Sequence, residues 1–387
     1  MNCYIFIPGR SWELSLAEVK SILPTNSSKI IKATSYYFYI EGEKEIDTKR
    51  YIDLLGGTVK IGKVIALLDK KKDLRKELVN QLVSLGDLKV TFGVTNLNDS
   101  RIDIDFLSNI KTSLEEKGIT SRFIVSKSPT GLSSVVIKKQ HATEFLILDL
   151  NDNNVIAQIL NVQDFEDWGK RDFKRPCFDP KIGMLPPKVA RIMINLAYSI
   201  YQRSTNENQK PMLLDPFCGV GTIPAEAMIL GWDVIASDFS KEMIDKTQKN
   251  LTWLKTQYAI KGEDKCFISD ATHISDRLLK ESIDAIVTEP FMGQNFEIMP
   301  SIGLVKRTIS GLERLYRGSL KDWYKVLKRG GFIIITIPSF NIRGGTLLCK
   351  KTIDNCENLG YTRLSGPFLY ARPQAIVARN IYVLKRN

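Results

Sequence analysis

The sequence predicts an α/β fold: a Rossmann-like parallel sheet over residues 183–387, preceded by an α+β region. Three observations carry this. The run Leu213-Leu214-Asp215-Pro216-Phe217-Cys218-Gly219-Val220-Gly221-Thr222 is apolar, ends in an acid and a glycine turn, and opens an amphipathic segment: strand, tight loop, helix. Two further short apolar runs also close on acids, Trp232-Asp233-Val234-Ile235-Ala236-Ser237 at Asp238 and Ile283-Asp284-Ala285-Ile286-Val287-Thr288 at Glu289. Finally, Gly330-Gly331 turns into Phe332-Ile333-Ile334-Ile335-Thr336-Ile337, a continuous apolar run of the kind buried on both faces of a parallel sheet.

In chain order, residues 3–7 predict a strand, 15–23 a helix behind a serine cap, and 36–40 a strand. From Thr58 the pattern resumes with strands at 63–68 and 89–94, a Lys- and Leu-rich helix over 70–85, a helix over 103–117, and strands at 122–126 and 144–149. From Gly183 helices and strands alternate: helix 187–203, strand 212–215, helix 223–230, strand 234–237, helix 241–254, then a strand over 266–271 that closes on Asp270. After Glu289 a long polar stretch holding Arg307, Arg314 and Arg317 leads to a helix over 316–327. The closing strand, 379–384, follows 370–374 as an antiparallel hairpin at one sheet edge. The expected divisions are an N-terminal region 1–57, a second domain 58–165, a linker 166–182 and the sheet domain 183–387.

Acid-terminated parallel strands around a glycine loop suit a nucleotide-like ligand. Glycines at 219 and 221 remove the Cβ atoms that would block backbone approach. A dinucleotide is excluded by the missing third glycine, where Pro224 stands. S-adenosylmethionine fits better. Asp215 suits its ammonium or a water beside it, Asp238 the ribose hydroxyls and Asp270 the adenine amine, with Pro216, Gly219, Gly221 and Thr222 forming the loop. Glu289-Pro290-Phe291-Met292-Gly293 then supplies an acid, a proline and an aromatic residue at the end of the fourth strand.

The chain carries a formal charge of +12 from 55 basic and 43 acidic residues. Most of the excess, 33 basic against 24 acidic residues, lies beyond position 160. Lys170, Arg171, Lys174, Arg175 and Lys181 cluster where two domains are expected to meet, a pattern suited to phosphate contacts. Six cysteines without a C-x-x-C pair, and only His141 and His273, speak against a zinc site or a disulfide framework. Cys218 reads as a small packing residue, since no basic neighbour would activate it. No apolar run approaches the ~20 residues of a membrane span and no signal-like leader is present, so a cytoplasmic location without membrane or metal is expected.

D-P-F-C-G-x-G-T, Asp164-Phe165-Glu166-Asp167-Trp168-Gly169-Lys170-Arg171-Asp172 with Lys174-Arg175-Pro176, and Leu185-Pro186-Pro187-Lys188-Val189-Ala190-Arg191 together carry a family resemblance. From about residue 60 onward the chain resembles the THUMP-domain tRNA (guanine-N2) methyltransferases that modify guanosine 10. The resemblance implies a class I S-adenosylmethionine methyltransferase domain, a ferredoxin-like and THUMP region over 1–57 and 58–165, and tRNA as substrate, held at its acceptor end by THUMP. It gives Glu289 and the Pro290 carbonyl the amine hydrogens, and Phe291 a stacking role. The family's usual motif is D-P-P-Y-G, and this chain has E-P-F-M-G. That departure keeps open an amino-methyltransferase for DNA or ribosomal RNA and a catalytically impaired tRNA-binding relative. Participation of a small activating protein subunit is also left open.

Overall fold

The computed structural model describes every residue except 1, 25, 99–101, 151, 179–183, 202–209, 295, 297 and 373, together with the side chains of 199–201. It divides into two units, Met1–Leu16 with Leu23–Glu166, and Ala17–Ile22 with Asp167–Asn387.

The first unit runs β1 (Asn2–Pro8), α1 (Trp12–Ile22), β2 (Ser28–Ala33), β3 (Phe38–Gly42), α2 (Thr48–Leu54), β4 (Thr58–Asp69), α3 (Leu74–Ser84), β5 (Lys89–Asn96), α4 (Ile104–Glu115), β6 (Thr120–Phe123), α5 (Ser134–Gln140), β7 (Ala142–Leu150) and β8 (Asn153–Val162), with the end of α1 counted in the second unit. Its eight strands form one mixed sheet, β2-β3-β1-β4-β8-β7-β5-β6. Asp73 and Asp103 cap α3 and α4 by accepting from the first free backbone N–H groups. The apolar stripes of these helices, Leu78 and Leu82 on one and Leu107, Ile110 and Leu114 on the other, join Phe92, Phe145 and Ile156 in a single core. Because β1 pairs with β4, the boundary expected at 57/58 falls inside one continuous sheet. Strands β2 and β8 and helices α2 and α5 were not foreseen. β2 is an edge strand with mostly solvent-facing side chains, and amides interrupt the apolar pattern of β8.

The second unit continues with α6 (Phe165–Phe173), α7 (Pro187–Tyr201), β9 (Met212–Asp215), α8 (Thr222–Ile229), β10 (Asp233–Asp238), α9 (Lys241–Tyr258), β11 (Asp264–Ile268), β12 (Ile283–Thr288), α10 (Ile302–Val326), β13 (Leu327–Ile342), β14 (Gly345–Leu348), α11 (Lys351–Asp354), β15 (Tyr361–Tyr370) and β16 (Val377–Arg386). The sheet order is β11-β10-β9-β12-β13-β16-β15. Strands β9 to β13 are parallel, and β16 lies antiparallel between β13 and β15, as the closing hairpin predicts. The chain leaves β9 toward β10 and β11 on one side and returns to β12 on the other. That reversal opens a crevice at the carboxyl ends of β9 and β12.

Three expectations are corrected here. Residues 166–182 begin with a helix, not a linker, because Trp168 and Arg171 bury one face of α6 within the second unit. The polar stretch before residue 316 is helical from Ile302: Ser301 caps α10, and Val305, the partly buried Ile309, Leu312, Tyr316, Leu320, Trp323 and Val326 recur every three or four residues against the core. Polar residues between them hid the stripe. The third parallel strand ends at Ile268, so Asp270 lies in the turn beyond it, where its carboxylate accepts from the Thr272 N–H at 2.8 Å.

Candidate active site

A cavity of about 810 Å³ lies at the crevice, lined by the ends of β9, β10 and β12 and by one face of β16. Its acidic residues are Asp215, Asp238 and Glu289, the last residues of three acid-terminated strands read from the sequence. Gly219, Thr222, Pro290 and Phe291 also line it. Of the other expected cofactor contacts, Pro216, Gly221 and Asp270 are not among the described lining residues.

The two glycines have different jobs. Both sit at positive φ, +52° and +81°. A Cβ on Gly219 would meet nothing within 4 Å, whereas one on Gly221 would lie 2.9 Å from Thr247 Cγ2 on α9. Gly221 therefore serves close packing of the loop on a neighbouring helix, and only Gly219 keeps backbone open to the cavity. The Gly219 N–H donates to Asp238 Oδ2 at 3.0 Å, and the Ser240 N–H to Oδ1 at 2.9 Å. Asp238 thus joins the glycine loop to the start of α9 while facing the cavity.

Asp215 is 1% exposed. It accepts from Thr288 Oγ1 at 2.7 Å and from the Phe217 N–H at 3.2 Å. Burial pushes its carboxyl up to about 7 despite these two bonds, and the charges of Asp238 and Glu289 add to the rise. Burial likewise raises the Glu289 carboxyl, against the pull of Arg379, whose Nε donates to Glu289 Oε1. The loop after Glu289 is braced from α10, where Tyr316 O–H donates to the Phe291 carbonyl at 2.7 Å. Phe291 itself is 57% exposed, a ring at the rim of the cavity and not under it. Burial lifts the Cys218 thiol well above its usual range, which agrees with a packing role.

The basic cluster does not hold together as expected. Arg171 and Arg175 are each only 6% exposed. Arg171 pairs with Glu226 on α8 and, at 3.0 Å, with Asp167, and its guanidinium lies 3.9 Å from the Trp168 ring centroid. Arg175 donates to Thr222 Oγ1 at 2.8 Å. Asn250 extends the same brace, accepting from the Cys177 N–H and donating to the Val220 carbonyl, each at 2.8 Å. Arg171 fastens α6 to α8 and Arg175 fastens the segment after α6 to Thr222 at the end of the glycine loop, so both are engaged within the protein. Lys170 and Lys174 remain exposed; Lys181 lies outside the described residues.

Several cavity residues escaped the sequence reading. Arg379 is one, and its signal was a lone cation in the mostly apolar run Val377-Ala378-Arg379-Asn380-Ile381-Tyr382. Phe239, 80% exposed directly after Asp238, and Met243 are others. Among the described residues no cluster of His, Cys, Asp and Glu could hold a metal ion, and no helix is long and apolar enough to cross a membrane.

Residues 187–341 match the family described as UPF0020, RMKL-like, methyltransferase domain. A tRNA (guanine(10)-N2)-dimethyltransferase of Methanothermobacter thermautotrophicus is 28% identical over 298 residues, covering 73% of this chain and 80% of that protein. A Methanothermococcus thermolithotrophicus protein named a probable tRNA (guanine(10)-N2)-dimethyltransferase is 33% identical over 123 residues, 32% of this chain and 67% of its own length. In fold, the chain is similar to TrmN from Thermus thermophilus, with a TM-score of 0.55, 14% identity and 100% of both chains covered.

Proposed function

From a chain that belongs to the tRNA (guanine-N2) methyltransferase family, we propose an enzyme that methylates the exocyclic amine of guanosine 10 in tRNA, using S-adenosylmethionine, at the cavity between β9, β10 and β12. The observation that carries this is the convergence of Asp215, Asp238 and Glu289 on one cavity beside an open Gly219.

The cavity suits the cofactor on its own chemistry. Three carboxylates face a single arginine among its described lining residues, an excess of negative charge that favours a sulfonium and an ammonium. Asp238 would hold the ribose hydroxyls and Asp215 the ammonium side, with Gly219 giving backbone access; Pro216, Gly221 and Thr222 shape the loop. When bound, S-adenosylmethionine would supply an electrophilic methyl on a sulfonium, and the amine that receives it would have one proton to lose.

The protein's part is to make a poor nucleophile competent. The lone pair of the guanine amine is delocalised into the ring. Glu289 and the Pro290 carbonyl accept its two hydrogens, turn the lone pair outward, and offset the charge that develops on nitrogen. The Glu289 carboxylate, or a water on it, takes the released proton. Phe291 stacks on the base from the rim. Lys170 and Lys174 are left to meet phosphates, residues 58–165 act as the THUMP-like part that holds the tRNA, and a cytoplasmic site of action follows from that substrate.

Labelled S-adenosylmethionine with purified protein, tested against a tRNA transcript, the same transcript with guanosine 10 replaced by adenosine, ribosomal RNA and DNA, checks this reading. Label is expected in the first alone, with mass spectrometry of the nucleosides separating one transfer from two. Equal labelling of the adenosine-10 transcript, or labelling of DNA or ribosomal RNA instead, would reject it. Labelling that requires cell extract would add the small activating subunit.

A further inference from the structure

Arg379 projects from β16, where the backbone faces Pro338 of β13 and Tyr370 of β15, and reaches Glu289 at the end of β12. It is the one cation among the described residues lining the cavity. The surrounding groups would by themselves disfavour an ionised Glu289. Burial raises its carboxyl, and the electrostatic neighbours on other elements are Asp215 of β9, an acid, and Tyr316 of α10, whose hydroxyl burial keeps neutral. A protonated Glu289 would be useless to the reaction, because it neither accepts the released proton nor offsets positive charge on the amine nitrogen. A guanidinium is well suited to prevent this: it stays charged at any working pH and offers donors only. It cannot compete for the amine hydrogens or take the proton itself.

We propose that Arg379 is a positioning residue of the active site, holding Glu289 as an anion turned into the cavity, ready for the amine. This rests on Glu289 being the amine's acceptor, as proposed above. The same pair gives the longer acid of E-P-F-M-G a physical use: glutamate spans the distance from β12 to β16, and an aspartate would withdraw its carboxylate toward β12 by one methylene.

The test separates the ionisation of Glu289 from turnover. In full-length protein carrying ¹³C-labelled glutamate carboxyls, the resonance missing from Glu289→Gln identifies the group, and its titration is followed in the parent, Arg379→Gln and Arg379→Lys. Removing an opposite charge at contact distance is expected to raise the midpoint by about one pH unit or more, with lysine restoring part of the shift. The acid limb of the kcat–pH profile is expected to move in the same direction, so that Arg379→Gln loses most activity on the acid side and recovers at alkaline pH. A merely structural arginine would lower activity evenly at all pH. Should Arg379→Gln not fold, Arg379→Met supplies the uncharged comparison. An unmoved Glu289 midpoint in the uncharged variant overturns the proposal whatever the substrate; a moved midpoint in a protein that leaves tRNA unmethylated overturns the functional reading instead.

Discussion

Thr288 donates its hydroxyl to Asp215 at 2.7 Å, tying the carboxyl end of β12 to that of β9 at the place where the sheet order reverses. The bond matters because it stabilises the ionised form of a carboxylate that burial disfavours.

Asp215 therefore leaves a signature in stability against pH. Its carboxyl sits at about 7 in the folded chain. The unfolded value is ~3.9, so the folded state binds its proton more tightly and stability falls as pH rises between the two values, by on the order of 3–4 kcal/mol in total. Asp215→Asn removes that titration and leaves an oxygen for Thr288. Thermal melts at pH 4.5 and pH 8 are expected to show a smaller decline for Asp215→Asn than for the parent; equal declines would mean that Asp215 is already ionised at low pH.

The basic segment is expected to split into two phenotypes. Arg171→Ala leaves Glu226 with Arg191 but strips one partner from a buried pair, a loss of about 3 kcal/mol in chemical denaturation. Lys170→Ala with Lys174→Ala should leave stability unchanged, weaken tRNA binding several-fold and make its salt dependence shallower. Parental affinity and salt slope in the lysine pair would make that exposed face irrelevant to tRNA.

Asp238 combines two roles that substitution can separate. Asp238→Ala removes the ribose acceptor and also the partner of the Gly219 N–H, so cofactor affinity is expected to drop tenfold or more. Asp238→Asn keeps an acceptor for the loop and should lose less. Calorimetric affinities that match the parent in both variants would take Asp238 out of the cofactor site.

The strand ends were legible because their signal is local: an apolar run that stops at an acid can be read without knowing its neighbours, and Asp215, Asp238 and Glu289 meet in the cavity as that reading requires. The end of β11 was placed three residues too far along, so Asp270, read as closing that strand, lies in the turn beyond it. What stayed hidden depends on partners distant in sequence. Arg175 looks like any surface cation until Thr222, 47 positions away, claims it, and Arg379 acquires meaning only when β16 inserts beside β13 and brings it to Glu289. Gly221 was assigned correctly to the loop, but for ligand approach when its requirement comes from Thr247. Helix α10 was half missed because its apolar stripe is thinned by polar residues before Leu312.

The central claim, that Glu289 accepts hydrogen bonds from a guanine amine at this cavity, is tested most directly by single-turnover methylation of tRNA with the parent and Glu289→Gln, the nucleosides being read by mass spectrometry. The parent is expected to form N2-methylated guanosine at position 10. Glu289→Gln should do so on the order of a hundredfold more slowly, with affinities for cofactor and tRNA within a few-fold of the parent, because the contact gains most of its value as the nitrogen becomes cationic. Methylation by Glu289→Gln at the parental rate would contradict the assignment and send the search for the acceptor to another residue of the cavity.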